Sequence, residues 1–124
     1  MPVIHASQAT THELHGATFT SYARPGTGSD ELCGWRIEIP PGTQGAPHQV
    51  SREEVIYIIS GSLHARIDEE ACDATAGDAI VVPAGARLRV DNPGPEPIAG
   101  WVTTSVGFVG ILADGTRLTP PWTR

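Results

Sequence analysis

The sequence predicts an all-β chain folded as an antiparallel sandwich or barrel. Three observations carry that expectation. About ten short apolar or alternating runs recur at spacings of roughly 8 to 12 residues, the rhythm of strands joined by tight turns. The 14 glycines and 11 prolines are spread evenly between these runs, so they punctuate structure rather than mark disorder. No stretch shows a convincing helical period.

Taken in order, residues 1–15 hold His5, His12 and His15. The run His12-Glu13-Leu14-His15 lacks the zinc-protease spacing, so these histidines read as ordinary surface or strand residues. Gly16 to Ala23 alternates as a strand and ends at Pro25-Gly26-Thr27-Gly28. Leu32 to Ile39 is the next strand, closed by Pro40-Pro41-Gly42. Its period of two puts Cys33, Trp35, Ile37 and Ile39 on one face and Leu32, Gly34, Arg36 and Glu38 on the other. Either the first face is core, or Arg36 and Glu38 look toward a ligand. The β-branched run Val55 to Ile59 reads as a buried strand. Ser62 to Ile67 forms a hairpin with Ala71 to Thr75 around Asp68-Glu69-Glu70, and places His64 on its polar face. Ala79 to Val82 is buried, Pro83-Ala84-Gly85 turns, and Ala86 to Asp91 returns. The proline-rich loop 92–97 excludes helix and central strand. Ile98 to Thr104 and Gly107 to Ala113 are the last long strands, and Asp114-Gly115 is a hairpin turn leading to Thr116 to Thr119.

The 124 residues suffice for one domain with one core. There is no internal repeat and no linker. A net charge of −6 with eight Lys and Arg offers no basic stripe for nucleic acid. No apolar run approaches the roughly 18 to 20 residues of a membrane span, and the first residues lack the pattern of a signal peptide. Cys33 and Cys72 fit no zinc or redox spacing, so a reducing cytoplasm is the expected setting.

Two stretches carry the chemistry. Gly42, His48, Glu54 and Gly61 punctuate the first; Gly77, Pro83, Gly85 and Asn92 punctuate the second. Together they resemble the paired motifs of the cupin superfamily over roughly residues 30 to 104. The first family motif is a Gly, five residues, His-x-His, three or four residues, Glu, six residues, Gly. The second is a Gly, five residues, Pro-x-Gly, two residues, His, three residues, Asn. Those eight residues fall in register, while Val50 and Leu88 stand where the motifs carry their other two histidines. The resemblance implies a double-stranded β-helix, or jelly-roll, barrel with its ligand site in the barrel mouth. It also implies that residues 1–15 could pair with a second subunit.

In metal-binding relatives three histidines and the Glu of the motifs hold one metal. Here only His48 and Glu54 remain. A catalytic zinc usually keeps three protein ligands and a facial iron site needs two His and a carboxylate, so two ligands fall short. Gln49, Glu53, His64 or Cys33 could supply a third, though no spacing favours any of them. No cofactor is therefore expected; a divalent metal, if bound, would sit on His48 and Glu54. The apolar side chains of Val50 and Leu88 should raise the pKa of Glu54.

The leading functional expectation is a metal-independent acid–base isomerase, cyclase or lyase in which His48 and Glu54 move a proton. Arg36, Tyr57 and Trp101 are candidates to shape or polarise the pocket, with Val50 and Leu88 lining it. A non-catalytic small-molecule binder and a metal-dependent oxygenase or isomerase with a reduced ligand set stay open, as does a structural role for His48 and Glu54. There is no Gly-x-Ser-x-Gly elbow, phosphate loop or dinucleotide fingerprint. The expected partner set is a small, partly apolar organic molecule and a second copy of the chain, which would cover exposed strand edges in a homodimer.

Overall fold

The computed structural model describes residues 3–124. Two six-stranded sheets face each other, and every strand pair is antiparallel. The strands are β1 Thr10–Leu14, β2 Ala17–Ala23, β3 Leu32–Ile39, β4 His48–Val50, β5 Glu54–Ser60 and β6 Ser62–Ile67. They continue as β7 Glu70–Thr75, β8 Ala79–Val82, β9 Arg87–Asp91, β10 Ile98–Ser105, β11 Gly110–Leu112 and β12 Arg117–Leu118. One sheet runs β1-β2-β3-β10-β5-β8 and the other β12-β11-β4-β9-β6-β7. From β3 onward the chain passes repeatedly between the sheets, which is the jelly-roll winding. Among the described residues the only helical pieces are three short 3₁₀ turns, none able to cross a membrane.

Strand parity builds the core. In β5, Glu54, Ile56 and Ile58 are buried while Val55, Tyr57 and Ile59 are exposed. In β3 the face of Cys33, Trp35 and Ile39 is buried and Leu32 is 55% exposed. This settles the open choice of face: the alternating hydrophobic set turns inward because burying it removes the most apolar area from water.

The motif frame is a backbone device. Gly42, Gly61, Gly77 and Gly85 all take positive φ, between +74° and +94°. Gly61 shows why: an added Cβ would lie 2.6 Å from the carbonyl oxygen of Pro97. Asn92 is buried, and its side-chain amide donates to the carbonyls of Ile39 (3.0 Å) and Glu96 (2.8 Å). Its backbone carbonyl accepts from Gly42 N–H at 2.8 Å, tying the two motifs together.

Two strands were not expected. β1 is mostly polar and β4 is three residues long, so neither has a readable period. The third difference is a shorter strand: Gly107 turns with φ +96°, so β11 begins only at Gly110. Residues 10–14, within the segment that could pair with a second subunit, pair with β2 of the same chain over five rungs.

Candidate active site

The site is a cavity of about 150 Å³ between the sheets. Its wall is mostly apolar and aromatic: Phe19, Trp35, Leu88, Phe108, Leu112 and Trp122 contribute, with Glu54 and His48 as its ionisable inner groups. An open polar depression lined by His15, Gln44 and Arg89 adjoins it.

Glu54 opens β5 and points inward beside Val82 and Thr104, its cross-strand neighbours. It is 5% exposed, and its Oε1 has no hydrogen-bond partner. Burial pushes its carboxyl up to about 7, because a charged carboxylate is poorly solvated there. An acid of that kind is nearly evenly divided between its two forms at neutral pH.

His48 stands on β4, in the opposite sheet, between Leu88 on β9 and Leu112 on β11. Its Nδ1 donates to the carbonyl of Ala46 at 3.1 Å, a contact that assigns the proton to Nδ1. Burial holds the imidazole below its ordinary pKa; the Ala46 bond partly offsets this, and His15 adds a further lowering. His48 is therefore neutral at pH 7, with a basic Nε2. No hydrogen bond or ion pair joins His48 to Glu54 among the described residues. They face the same cavity from different sheets, so a ligand would lie between a base and an acid.

The other expected site residues divide by strand parity. Leu88 lines the cavity and Val50 is fully buried in the core without lining it. Arg36, Trp101 and Tyr57 do not line it. Trp101 is the cross-strand neighbour of both Arg36 and Tyr57, so the three form one row, and that row lies on the outer face. Arg36 pairs there with Glu38 at 3.1 Å and Tyr57 is 47% exposed. Trp101 donates its indole N–H to Thr103 at 3.0 Å and lies over Gly34, where a Cβ would come within 2.6 Å of the ring. The reason for the correction is the period of two: residues one position from the inward Trp35 and Ile56 must face outward.

Two contributors had no sequence signal. His15 reads as an ordinary surface or strand histidine, yet it sits on the β1–β2 turn at φ +51° and edges the cavity. Trp122 follows two prolines in the 3₁₀ turn Pro121–Thr123 and reaches back across the barrel to stack on Phe19, with ring centroids 3.9 Å apart. Ser21 anchors that turn by donating to the Trp122 carbonyl at 2.7 Å. Only their position in space marks them.

The donor set does not fit a metal. The two missing ligand positions hold side chains without lone pairs, and among the described residues no three His, Cys, Asp or Glu groups are placed to hold one. Of the outside candidates, Gln49 and Glu53 are exposed, and His64 bonds Asp73 at 2.8 Å on the barrel's outer surface. The Cys33 thiol meets the Thr123 carbonyl at 3.5 Å.

The comparisons with known proteins agree with the architecture. A family model described as "Cupin domain" matches residues 35–104. No curated protein matches the chain in sequence. Among solved structures, the polyketide cyclase RemF from Streptomyces resistomycificus is 20% identical, with a TM-score of 0.72 over 85% of this chain and 79% of that one. A putative sugar phosphate isomerase from Acidithiobacillus ferrooxidans is 19% identical, with a TM-score of 0.68 over 90% of this chain and 81% of that one. An oxalate decarboxylase from Lactobacillus farciminis is 20% identical, with a TM-score of 0.73 over 81% of this chain, which spans only 32% of that longer protein. At these identities the likeness concerns the fold. Motif frame, jelly-roll winding and a family match over more than half of the sequence together make the chain a member of the cupin superfamily.

Proposed function

We propose that this cupin is a small-molecule enzyme that moves a proton on its bound ligand without a metal, as an isomerase, cyclase or lyase does. One observation carries the reading: a buried carboxyl with an unpartnered Oε1, poised near neutrality, and a neutral imidazole face one apolar cavity from opposite walls. His48 Nε2 accepts a proton from the ligand, and the protonated Glu54 delivers one elsewhere on it; solvent resets both groups. The apolar wall excludes water from the intermediate. Names among the structural neighbours include a cyclase and an isomerase, which agrees with the reaction class and goes no further. The same reading includes a homodimer built on the outer sheet face, and a cytoplasmic setting that agrees with two free cysteines.

The test is deuterium incorporation. Small organic molecules that bind the protein are incubated with it in D₂O and weighed by mass spectrometry. The unaltered protein should label at least one of them. Glu54→Gln and His48→Ala should each slow labelling by about 10² to 10⁴ while ligand still binds. Ligands that bind and always return unlabelled would instead favour non-catalytic binding, the reading that the largely apolar wall also permits.

A further inference from the structure

The cavity carries more unsatisfied hydrogen-bonding capacity than proton transfer uses. Besides Glu54 Oε1, the indole N–H groups of Trp35 and Trp122 are buried and without acceptors. Both residues line the same cavity. Their rings are 6.4 Å apart, centroid to centroid, and meet edge to face. Trp35 belongs to the inward rung Trp35–Val102–Ile56, next to the rung Cys33–Thr104–Glu54. Trp122 is tied beside Trp35 by Ser21, the cross-strand neighbour of Trp35, which donates to the Trp122 carbonyl. Two orphaned donors beside one cavity cost the fold stability unless something accepts from them.

Size and polarity then limit what that something is. An apolar cavity near 150 Å³ is about right for one benzene-sized ring. An indole N–H only donates, so the ligand must present acceptors. A carbonyl oxygen has two lone pairs and no proton of its own, and fits donors better than a hydroxyl does.

We infer that the cavity takes a single-ring carbonyl compound whose oxygen accepts from the indole N–H groups of Trp35 and Trp122 while its enolisable carbon faces His48 and Glu54. This rests on the proton-transfer reading and names its substrate class. The step balances. The C–H bond next to the carbonyl breaks, its proton goes to His48 Nε2, and the electron pair moves onto the carbonyl oxygen to give an enolate. The indole donors stabilise that oxygen as its charge grows. The carboxyl proton of Glu54 then bonds to carbon, and the carbonyl re-forms.

The experiment compares cyclohexanone with methylenecyclohexane, its isostere in which CH₂ replaces the acceptor oxygen. Binding is measured by calorimetry on the unaltered protein, Glu54→Gln, Trp35→Phe and Trp122→Phe. Trp35→Phe and Trp122→Phe should each weaken cyclohexanone roughly five- to tenfold more than methylenecyclohexane, because both probes meet the smaller ring but only the ketone loses a hydrogen bond. Equal losses for both probes, no loss for either, or no binding of cyclohexanone at all would overturn the assignment. Should both variants fail to fold, the carbonyl stretch of cyclohexanone bound to the unaltered protein decides. A band shifted from its position in hexane toward that in water supports the two donors, and a band at the hexane position refutes them. Ketone binding by the unaltered protein with no deuterium exchange sinks the proton transfer and leaves the two indole contacts standing. Exchange on other ligands with no ketone binding sinks only the substrate class.

Discussion

At the scale of the residue, Glu54 is a carboxyl buried where its charged form is poorly solvated. Its folded pKa, about 7, lies above its unfolded value of 4.5. Between those values the folded chain binds more protons than the unfolded one, so stability falls as pH rises through the window and levels off above 7. The shift corresponds to roughly 3 kcal/mol between pH 4 and pH 8. His48 acts with the opposite sign: its lowered pKa removes stability as pH falls below 6.5. Glu54→Gln isolates the first effect. The variant should gain about 2 to 3 kcal/mol over the unaltered chain at pH 8 and match it near pH 4, read from urea midpoints. A variant no more stable at pH 8 would mean that the carboxyl has a partner that compensates its burial. Activity should move the other way, lost in Glu54→Gln at every pH. Such a trade of stability for a poised acid is common in active sites.

At the scale of the element, β4 and β9 hold the two positions that a full metal ligand set would need as histidines. His48 and Leu88 are direct cross-strand neighbours, and Val50 lies two residues along the same strand on the same face as His48. Histidines at 50 and 88 would therefore join His48 on one inward surface, with Glu54 facing them. The double variant Val50→His, Leu88→His should take up a divalent metal that the natural protein, purified alongside it, does not retain, as shown by elemental analysis. Metal at or near one equivalent in the natural protein would overturn metal-independent proton transfer. The same parity explains why Arg36, Tyr57 and Trp101 sit outside: in a strand, a chemically attractive side chain one residue from an inward one is always on the wrong face.

At the scale of the whole molecule, the jelly-roll winding sends β4 and β5, adjacent in sequence, into opposite sheets. A turn of three residues, Ser51 to Glu53, thus separates the base and the acid of the site across the barrel. The outer face of the β5–β8 sheet stays unusually apolar: Val55, Tyr57, Ile59 and Val81 are 38 to 57% exposed, and Val55 and Val81 are direct neighbours. An apolar sheet face of this kind commonly marks an association surface. The protein should sediment as a dimer, and Tyr57→Glu with Val81→Glu should sediment as a monomer with its thermal unfolding little changed. A monomeric natural protein would remove the outer face from that role.

The sequence alone was enough for the all-β class, for most strands to within a residue or two, and for the motif frame that identifies the cupin winding. Local rules explain this: a period of two, glycines at left-handed turns and prolines between strands act within a few residues of one another. It also pointed to His48 and Glu54, because the first motif places both by spacing. It left the face of β3 open, and it did not reveal β4, His15 at the rim or Trp122 across the mouth. Those depend on pairing between residues far apart in the chain: Trp122 meets Phe19, and Leu88 meets His48. Which donors are left unsatisfied, and how large a ring they surround, is likewise a property of packed surfaces, and only the tertiary structure decides it.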